Sequence, residues 1–177
     1  MRDIARIGVV LMLIAAVSGG ALAYAHSVTA PAIQRALQAA KEDALARALP
    51  GAREFQDRTG EYASLLADPR FRDVKEVWAA GSAGSVVVVA PTGYGGPITC
   101  LVGVDASGKV QGLEILSAPG ETPGLGSRVK EVSFTDRFRG QAGRVQVQAI
   151  TGATISSRAV ISGVQAALDL LAARGGK

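Results

Sequence analysis

Four Phe, three Tyr, one Trp, one Cys and one His are all that 177 residues supply of the aromatic, thiol and imidazole groups. With Cys100 alone there is no intramolecular disulfide, and a four-cysteine zinc or iron–sulfur site from this chain is excluded. The single histidine, His26, sits at the edge of an apolar N-terminal run, where an interfacial residue without a chemical role is the simplest reading. Charge of one sign is also scarce: 19 Lys and Arg against 15 Asp and Glu leave a formal net charge of +4. The two signs are interleaved, as in Lys41-Glu42-Asp43 and Arg72-Asp73-Val74-Lys75-Glu76. A nucleic-acid surface asks instead for a basic face with aromatics set into it, so nucleic acid is not an expected partner. Neither a Walker nor a Rossmann glycine pattern opens a helix here.

What the sequence has in quantity is one long apolar stretch, followed by glycine-rich, β-branched texture. Residues 7–25 carry no charge, which is about the length a helix needs to cross the hydrocarbon core. Arg2 and Arg6 precede the stretch and the next cation after it is Arg35, a bias that places residues 1–6 in the cytoplasm and everything beyond residue 25 outside. A cleaved secretory leader is the competing reading, since Ala21-Leu22-Ala23 and Ala23-Tyr24-Ala25 offer small residues to a signal peptidase. The run is longer than a usual leader core, and the chain continues as a helical pattern, which favours a span. Thr29 and Pro31 resemble a helix start, and Ile33, Ala36, Leu37, Ala40, Ala44 and Ala48 recur at helical spacing until Pro50-Gly51. Residues 26–50 are therefore expected to form a helical stalk, and residues 51–177 one extracytoplasmic domain.

In that domain residues 51–74 give no clear pattern, with Tyr62, Leu65, Leu66 and Phe71 as the candidates for burial. Strands are expected over Val86–Val89, Ile98–Val104, Val110–Leu116 and Val145–Ile150, with a tight hairpin at Asp105-Ala106-Ser107-Gly108. Ser156 or Ser157 is expected to cap a final helix whose Val160, Val164, Ala167, Leu168 and Leu171 form an apolar stripe ending at Arg174-Gly175. A sheet with packed helices behind a single membrane helix and stalk makes the fold α+β.

Two glycine-punctuated loops at strand ends stand out, Pro119-Gly120-Glu121-Thr122-Pro123-Gly124-Leu125-Gly126 and Thr151-Gly152-Ala153-Thr154-Ile155-Ser156-Ser157. In the second, Gly152 and Ala153 let the backbone approach a ligand, and hydroxyls beside the free N–H groups of a following helix suit a phosphate. Ordinary strand-to-helix punctuation has the same composition, so spacing alone does not decide between them.

Together with Gly93-Tyr94-Gly95-Gly96-Pro97-Ile98, these loops resemble the FMN-binding domain found in the G subunit of Rnf electron-transport complexes and in the C subunit of sodium-translocating NADH:quinone reductase. The resemblance covers residues 93–157, and the anchor and stalk match as well. It implies FMN joined through its phosphate to the side-chain oxygen of Thr154, with Thr151, Gly152, Ala153, Ser156 and Ser157 around the phosphate and Glu121, Thr122 and Leu125 lining the flavin pocket. No catalytic acid or base and no metal ligand is implied, because the isoalloxazine ring carries the electrons and the protein positions and tunes it. The shortness of the chain favours the Rnf subunit. The implied setting is the bacterial inner membrane, with the flavin domain on the periplasmic or outer side. Other membrane subunits are its implied partners, and a flavin transferase its maturation enzyme. One departure stands out: the transferase pattern has Asp three residues before Thr151, and here that residue is Gln148. A non-redox accessory module without flavin, and a free-standing secreted flavodomain, are the alternatives.

Overall fold

The computed structural model describes residues 2–52 and 54–175, and the side chains within them except those of residues 2–5, 34 and 175. It divides into two compact units, residues 1–40 and 41–177.

The first unit is the N-terminal part of helix α1 (Arg2–Ala48). Its large apolar side chains from Ile7 to Leu37 stand exposed. Residues Arg6–Ala48 are long and apolar enough to cross a membrane; Thr154–Arg174 pass the same test, but half of their apolar window is buried, as in the core helix of a soluble domain. The helix restart expected at Thr29 and Pro31 does not occur. Thr29 donates its hydroxyl to the Ala25 carbonyl at 2.8 Å, a helix-internal bond rather than a cap, and Pro31 lies inside the helix.

The second unit is a five-stranded antiparallel meander, β1 (Gln56–Asp57), β2 (Val74–Ala79), β3 (Gly84–Val89), β4 (Thr99–Asp105) and β5 (Val110–Ser117), paired in chain order. Residues 59–71, patternless in sequence, form a 3-10 turn, the short helix α2 (Ala63–Leu66) and a second 3-10 turn. Tyr62 and Phe71 are buried there, and Leu65 and Leu66 pack partly against the core. Further on come α3 (Val132–Thr135) and the long C-terminal helix α4 (Thr154–Gly175).

The four consecutive valines of β3 make sense only in a strand covered on both faces. Val87 and Val89 join the core under α4, whereas Val86 and Val88 join a second core made with Ala44, Leu45, Ala48 and Leu49. Residues 41–49, read from sequence as stalk, thus pack in this unit as part of its second layer. Two glycines admit them. Gly103 and Gly112 face each other in the β4–β5 register, and a Cβ on either would run into the Ala48 carbonyl. Above this contact Lys41 pairs with Glu76 at 2.5 Å and lies 4.7 Å from the centre of the Trp78 ring, whose N–H also donates to Glu76. On the other face Gly163 lets α4 come close to β3, since a Cβ there would meet Val89 and Pro91 at 3.0 Å.

The hairpin expected at Asp105–Gly108 is present. The Asp105 carboxylate accepts from the Ser107 hydroxyl and the backbone N–H groups of Ser107 and Lys109, and Gly108 takes φ +81. The strand expected over Val145–Ile150 is not. Val145 and Val147 are partly buried and alternate with exposed Gln146 and Gln148, so the segment is extended, but no strand pairs with it among the described residues. Side chains supply its hydrogen bonds instead: Val145 N–H donates to Gln165 Oε1 at 2.8 Å, Gln146 N–H to Gln141 Oε1 and Ile150 N–H to Ser157 Oγ. Period-two burial marks an extended chain with one covered face, and it does not say whether a strand or a helix does the covering.

Candidate functional site

Three segments converge beside the N-terminus of α4. The first is the turn over residues 92–97, closed by an isolated bridge between Thr92 and Pro97 and by Gly93 N–H donating to the Gly96 carbonyl at 2.8 Å. The second follows β5. Glu121 N–H donates to the Ala118 carbonyl, and both Leu125 and Ser127 donate to the Thr122 carbonyl, a compact fold that needs Gly124 at φ +76. The third is the turn at Thr151-Gly152, where Gly152 adopts φ +84 and hands the chain to α4.

Backbone meets backbone where the first two segments touch. A Cβ on Gly95 would collide with the Gly120 carbonyl, and one on Gly120 with the Gly95 carbonyl. Below this contact lies Glu121, only 6% exposed and the sole charged side chain among the buried residues described. Its Oε1 accepts from Tyr94 N–H at 2.9 Å and its Oε2 from the Ser156 hydroxyl.

The first turn of α4 is left open. Ser157 N–H donates to the Ala153 carbonyl at 2.9 Å, the first helical bond, so Ala153 occupies the cap position and its methyl group caps nothing. The N–H groups of Thr154, Ile155 and Ser156 precede that bond and have no partner among the described residues. Neither expected serine cap forms. Ser156 donates to Glu121, and Ser157 accepts from Ile150 N–H while donating to the Ala153 carbonyl. Both are buried, because two and three residues into a helix they turn toward the core.

Between the segments is a cavity of about 390 Å³ lined by Tyr94, Glu121, Thr122, Leu125, Gly126, Gly152, Ala153, Thr154, Ile155 and Ser156. Seven of the nine residues singled out from sequence are brought together there: Thr154, Gly152, Ala153, Ser156, Glu121, Thr122 and Leu125. Thr151 and Ser157 are not in the lining. Thr151 is exposed on the turn, and Ser157 is fully buried behind it. Tyr94, Gly126 and Ile155 line the cavity without having been singled out, although the first two lie in the glycine loops. Ile155 carried no signal beyond following Thr154.

The lining suits FMN on three counts. Its volume falls in the range of roughly 300–1,000 Å³ typical of small-molecule sites. Unpartnered N–H groups at the start of a 22-residue helix favour a phosphate. The Thr154 side chain is exposed, with no hydrogen bond among the described residues to hold its hydroxyl back, and Tyr94, Leu125 and Ile155, 70%, 50% and 56% exposed, give a flat ring apolar surface to lie on. Among the described residues no group of three or more His, Cys, Asp or Glu side chains is placed to hold a metal ion.

Comparison with known proteins finds two family matches along the chain. Residues 93–169 match the FMN-binding domain family, and residues 1–47 match the RnfG N-terminal region. The G subunit of the sodium-translocating ferredoxin:NAD(+) oxidoreductase complex of Acetobacterium woodii is 32% identical over 188 residues, covering 93% of this chain and 90% of that protein. The G subunit of the ion-translocating oxidoreductase complex of Cronobacter sakazakii is 30% identical, covering 94% and 89%. Its counterpart in the proton-translocating ferredoxin:NAD(+) oxidoreductase complex of Clostridium ljungdahlii is 37% identical over a shorter stretch, 54% of this chain and 60% of that protein. Among solved structures, the C subunit of the sodium-translocating NADH-quinone reductase from Parabacteroides distasonis superposes with a TM-score of 0.45 at 23% identity, covering 55% of this chain and 61% of that one. Similarity that runs nearly end to end with the first two proteins settles the family: the chain belongs to the G-subunit family of ion-translocating oxidoreductase (Rnf) complexes, and its second unit carries an FMN-binding domain.

Proposed function

We propose that this chain is the membrane-anchored flavoprotein subunit of an ion-translocating ferredoxin:NAD oxidoreductase, relaying electrons through FMN held by a phosphoester to Thr154. The observation that carries the reading is the Thr154 hydroxyl, without a hydrogen bond among the described residues, at the open first turn of α4 and on the wall of a cavity of cofactor size. The helix end supplies three N–H donors to a phosphate on that oxygen, and the turn before it calls for glycine at 152, whose φ of +84 other residues rarely adopt. Bound FMN would supply the electron-transfer chemistry, and the protein supplies position and hydrogen-bond donors for its phosphate.

The uncharged stretch over residues 7–25 and the Arg2/Arg6 bias support a single span with the N-terminus in the cytoplasm and the flavin unit on the periplasmic or outer side. Outside the cytoplasm a covalent link keeps the flavin at high effective concentration where free FMN would be lost. The other membrane subunits of the complex are its partners, and a flavin transferase matures it. A single span offers no ion path of its own, so translocation belongs to those partners.

A second reading, a flavin-free accessory module, rests on Gln148 where the transferase pattern has Asp; that side chain is exposed, where a transferase would read it. Intact mass after co-expression with the transferase separates the two. The expected result is a gain of one FMN less one water, with in-gel fluorescence, both lost in Thr154→Val. Unmodified wild-type protein would leave the accessory reading standing.

A further inference from the structure

Glu121 lines the cavity, yet both of its oxygens are taken up by the protein. One accepts from the turn over residues 92–97 through Tyr94 N–H, and the other accepts from α4 through Ser156. We propose that Glu121 is a positioning residue, a clasp joining three segments that fixes Thr154 and the open helix end in register with the loops without itself touching the flavin. The inference rests on the assignment of Thr154 as the attachment point.

Space around the carboxylate is shaped for it. A Cβ on Gly93 would collide with Oε1 and one on Gly126 with Oε2, so a glycine on the facing turn and one on its own loop leave room for this group. Its partner on the helix is well placed. Ser156 is two residues beyond Thr154, about 200° round an α-helix, so Ser156 is turned into the protein at 2% exposure while Thr154 is turned out. A bond on Ser156 therefore sets the rotation and height of the turn that carries Thr154.

Stability alone would not select such a device. A buried carboxylate that forms no ion pair among the described residues carries a desolvation cost that an apolar side chain of similar size would avoid. What the carboxylate offers is direction: two acceptor oxygens that hold two elements at one separation. The turn over residues 92–97 and the loop carrying Glu121 also touch at the Gly95–Gly120 backbone contact.

The test uses the full chain in detergent, with and without the flavin transferase, for wild type, Glu121→Ala, Ser156→Ala, the double variant and Glu121→Gln. In flavin-free protein, hydrogen–deuterium exchange of a peptide spanning Tyr94 is expected to accelerate at least tenfold in Glu121→Ala, because its N–H loses its acceptor. Flavin attachment is expected to slow at least tenfold in either single alanine variant, and no further in the double variant, because each mutation breaks the same clasp. Glu121→Gln, which still offers an acceptor to Tyr94 and a donor to the Ser156 oxygen, is expected to recover most of the rate and separates loss of the clasp from loss of folding. Protein that does become modified is expected to keep the wild-type flavin absorption spectrum in every variant. Additive losses in the double variant, or a shifted flavin spectrum in Glu121→Ala with Tyr94 exchange unchanged, would overturn the proposal in favour of direct contact with the flavin. Wild-type protein left unmodified would refute attachment at Thr154 but not the clasp, which the Tyr94 exchange reads independently.

Discussion

At the scale of single residues, the site is made as much by missing side chains as by those present. Gly95 and Gly120 exist in this fold because their backbones touch, and Gly93 and Gly126 because Glu121 fills the space beside them. Replacing Gly95 by Ala forces its Cβ into the Gly120 carbonyl, and the loops must part to admit it. An overpacking penalty of about 1–3 kcal/mol is expected, read as a lower denaturation midpoint, together with reduced flavin incorporation. Gly60→Ala is the control. It is exposed, its Cβ would meet nothing within 4 Å, and its effect is expected to stay within about 0.5 kcal/mol. A glycine needed for loop flexibility alone would instead make Gly95→Ala behave like this control.

At the scale of elements, two unlike devices hold the domain's loops. The hairpin between β4 and β5 is tied by the Asp105 carboxylate, whose pKa is held down at about 2 from an ordinary 3.8, first by the Ser107 hydroxyl and then by the Lys109 N–H. The folded form thus binds its proton later than the unfolded chain does, so this contribution to stability is complete above about pH 4 and fades as pH falls toward 2. In urea titrations at successive pH values, the difference between wild type and Asp105→Asn is expected to be largest above pH 4 and to close toward pH 2. A constant difference would mean that the turn does not depend on the charge. The segment over residues 143–150 is held by Gln165, which accepts from Val145 N–H and donates to the Gly143 carbonyl and to Asp169. Gln165→Met keeps the volume and removes those bonds. A loss of about 1–3 kcal/mol is expected, with faster exchange confined to residues 143–147. These two elements also mark the limit of what the sequence reveals. The hairpin was legible because Asp and Gly at a turn act locally, within five residues. The absence of a strand at Val145–Ile150 was not, because its hydrogen bonds come from Gln165 and Ser157, side chains that sequence cannot bring alongside. The site followed the same rule. Its loops and Thr154 could be read from local glycine and hydroxyl patterns, whereas the inward turn of Ser156 toward Glu121 depends on a pairing 35 residues apart.

At the scale of the whole molecule, the boundary between the long apolar helix and the globule decides which fragment folds by itself. The compact second unit begins at Lys41, and Ala44, Leu45, Ala48 and Leu49 cover the face of the sheet that presents Ala80, Val86, Val88 and Leu101. A fragment beginning at residue 51, where the sequence changes texture, would leave that apolar face bare, and bare apolar faces of this kind drive association. A fragment of residues 41–177 retains the cover and the ties from Lys41 to Glu76 and from Arg47 to Glu114. The expected outcome is that residues 41–177 run as a soluble monomer in size-exclusion chromatography and unfold cooperatively, whereas residues 51–177 aggregate or bind a hydrophobic dye strongly. Gly103→Ala in the longer fragment is expected to move its behaviour toward that of the shorter one, because the new Cβ occupies the place of the Ala48 carbonyl. If both fragments were equally soluble and equally stable, the last two turns of α1 would be a passive continuation of the apolar helix before them. If they differ as expected, those turns are the second layer of the FMN-binding domain, lying on the face of the sheet opposite α4.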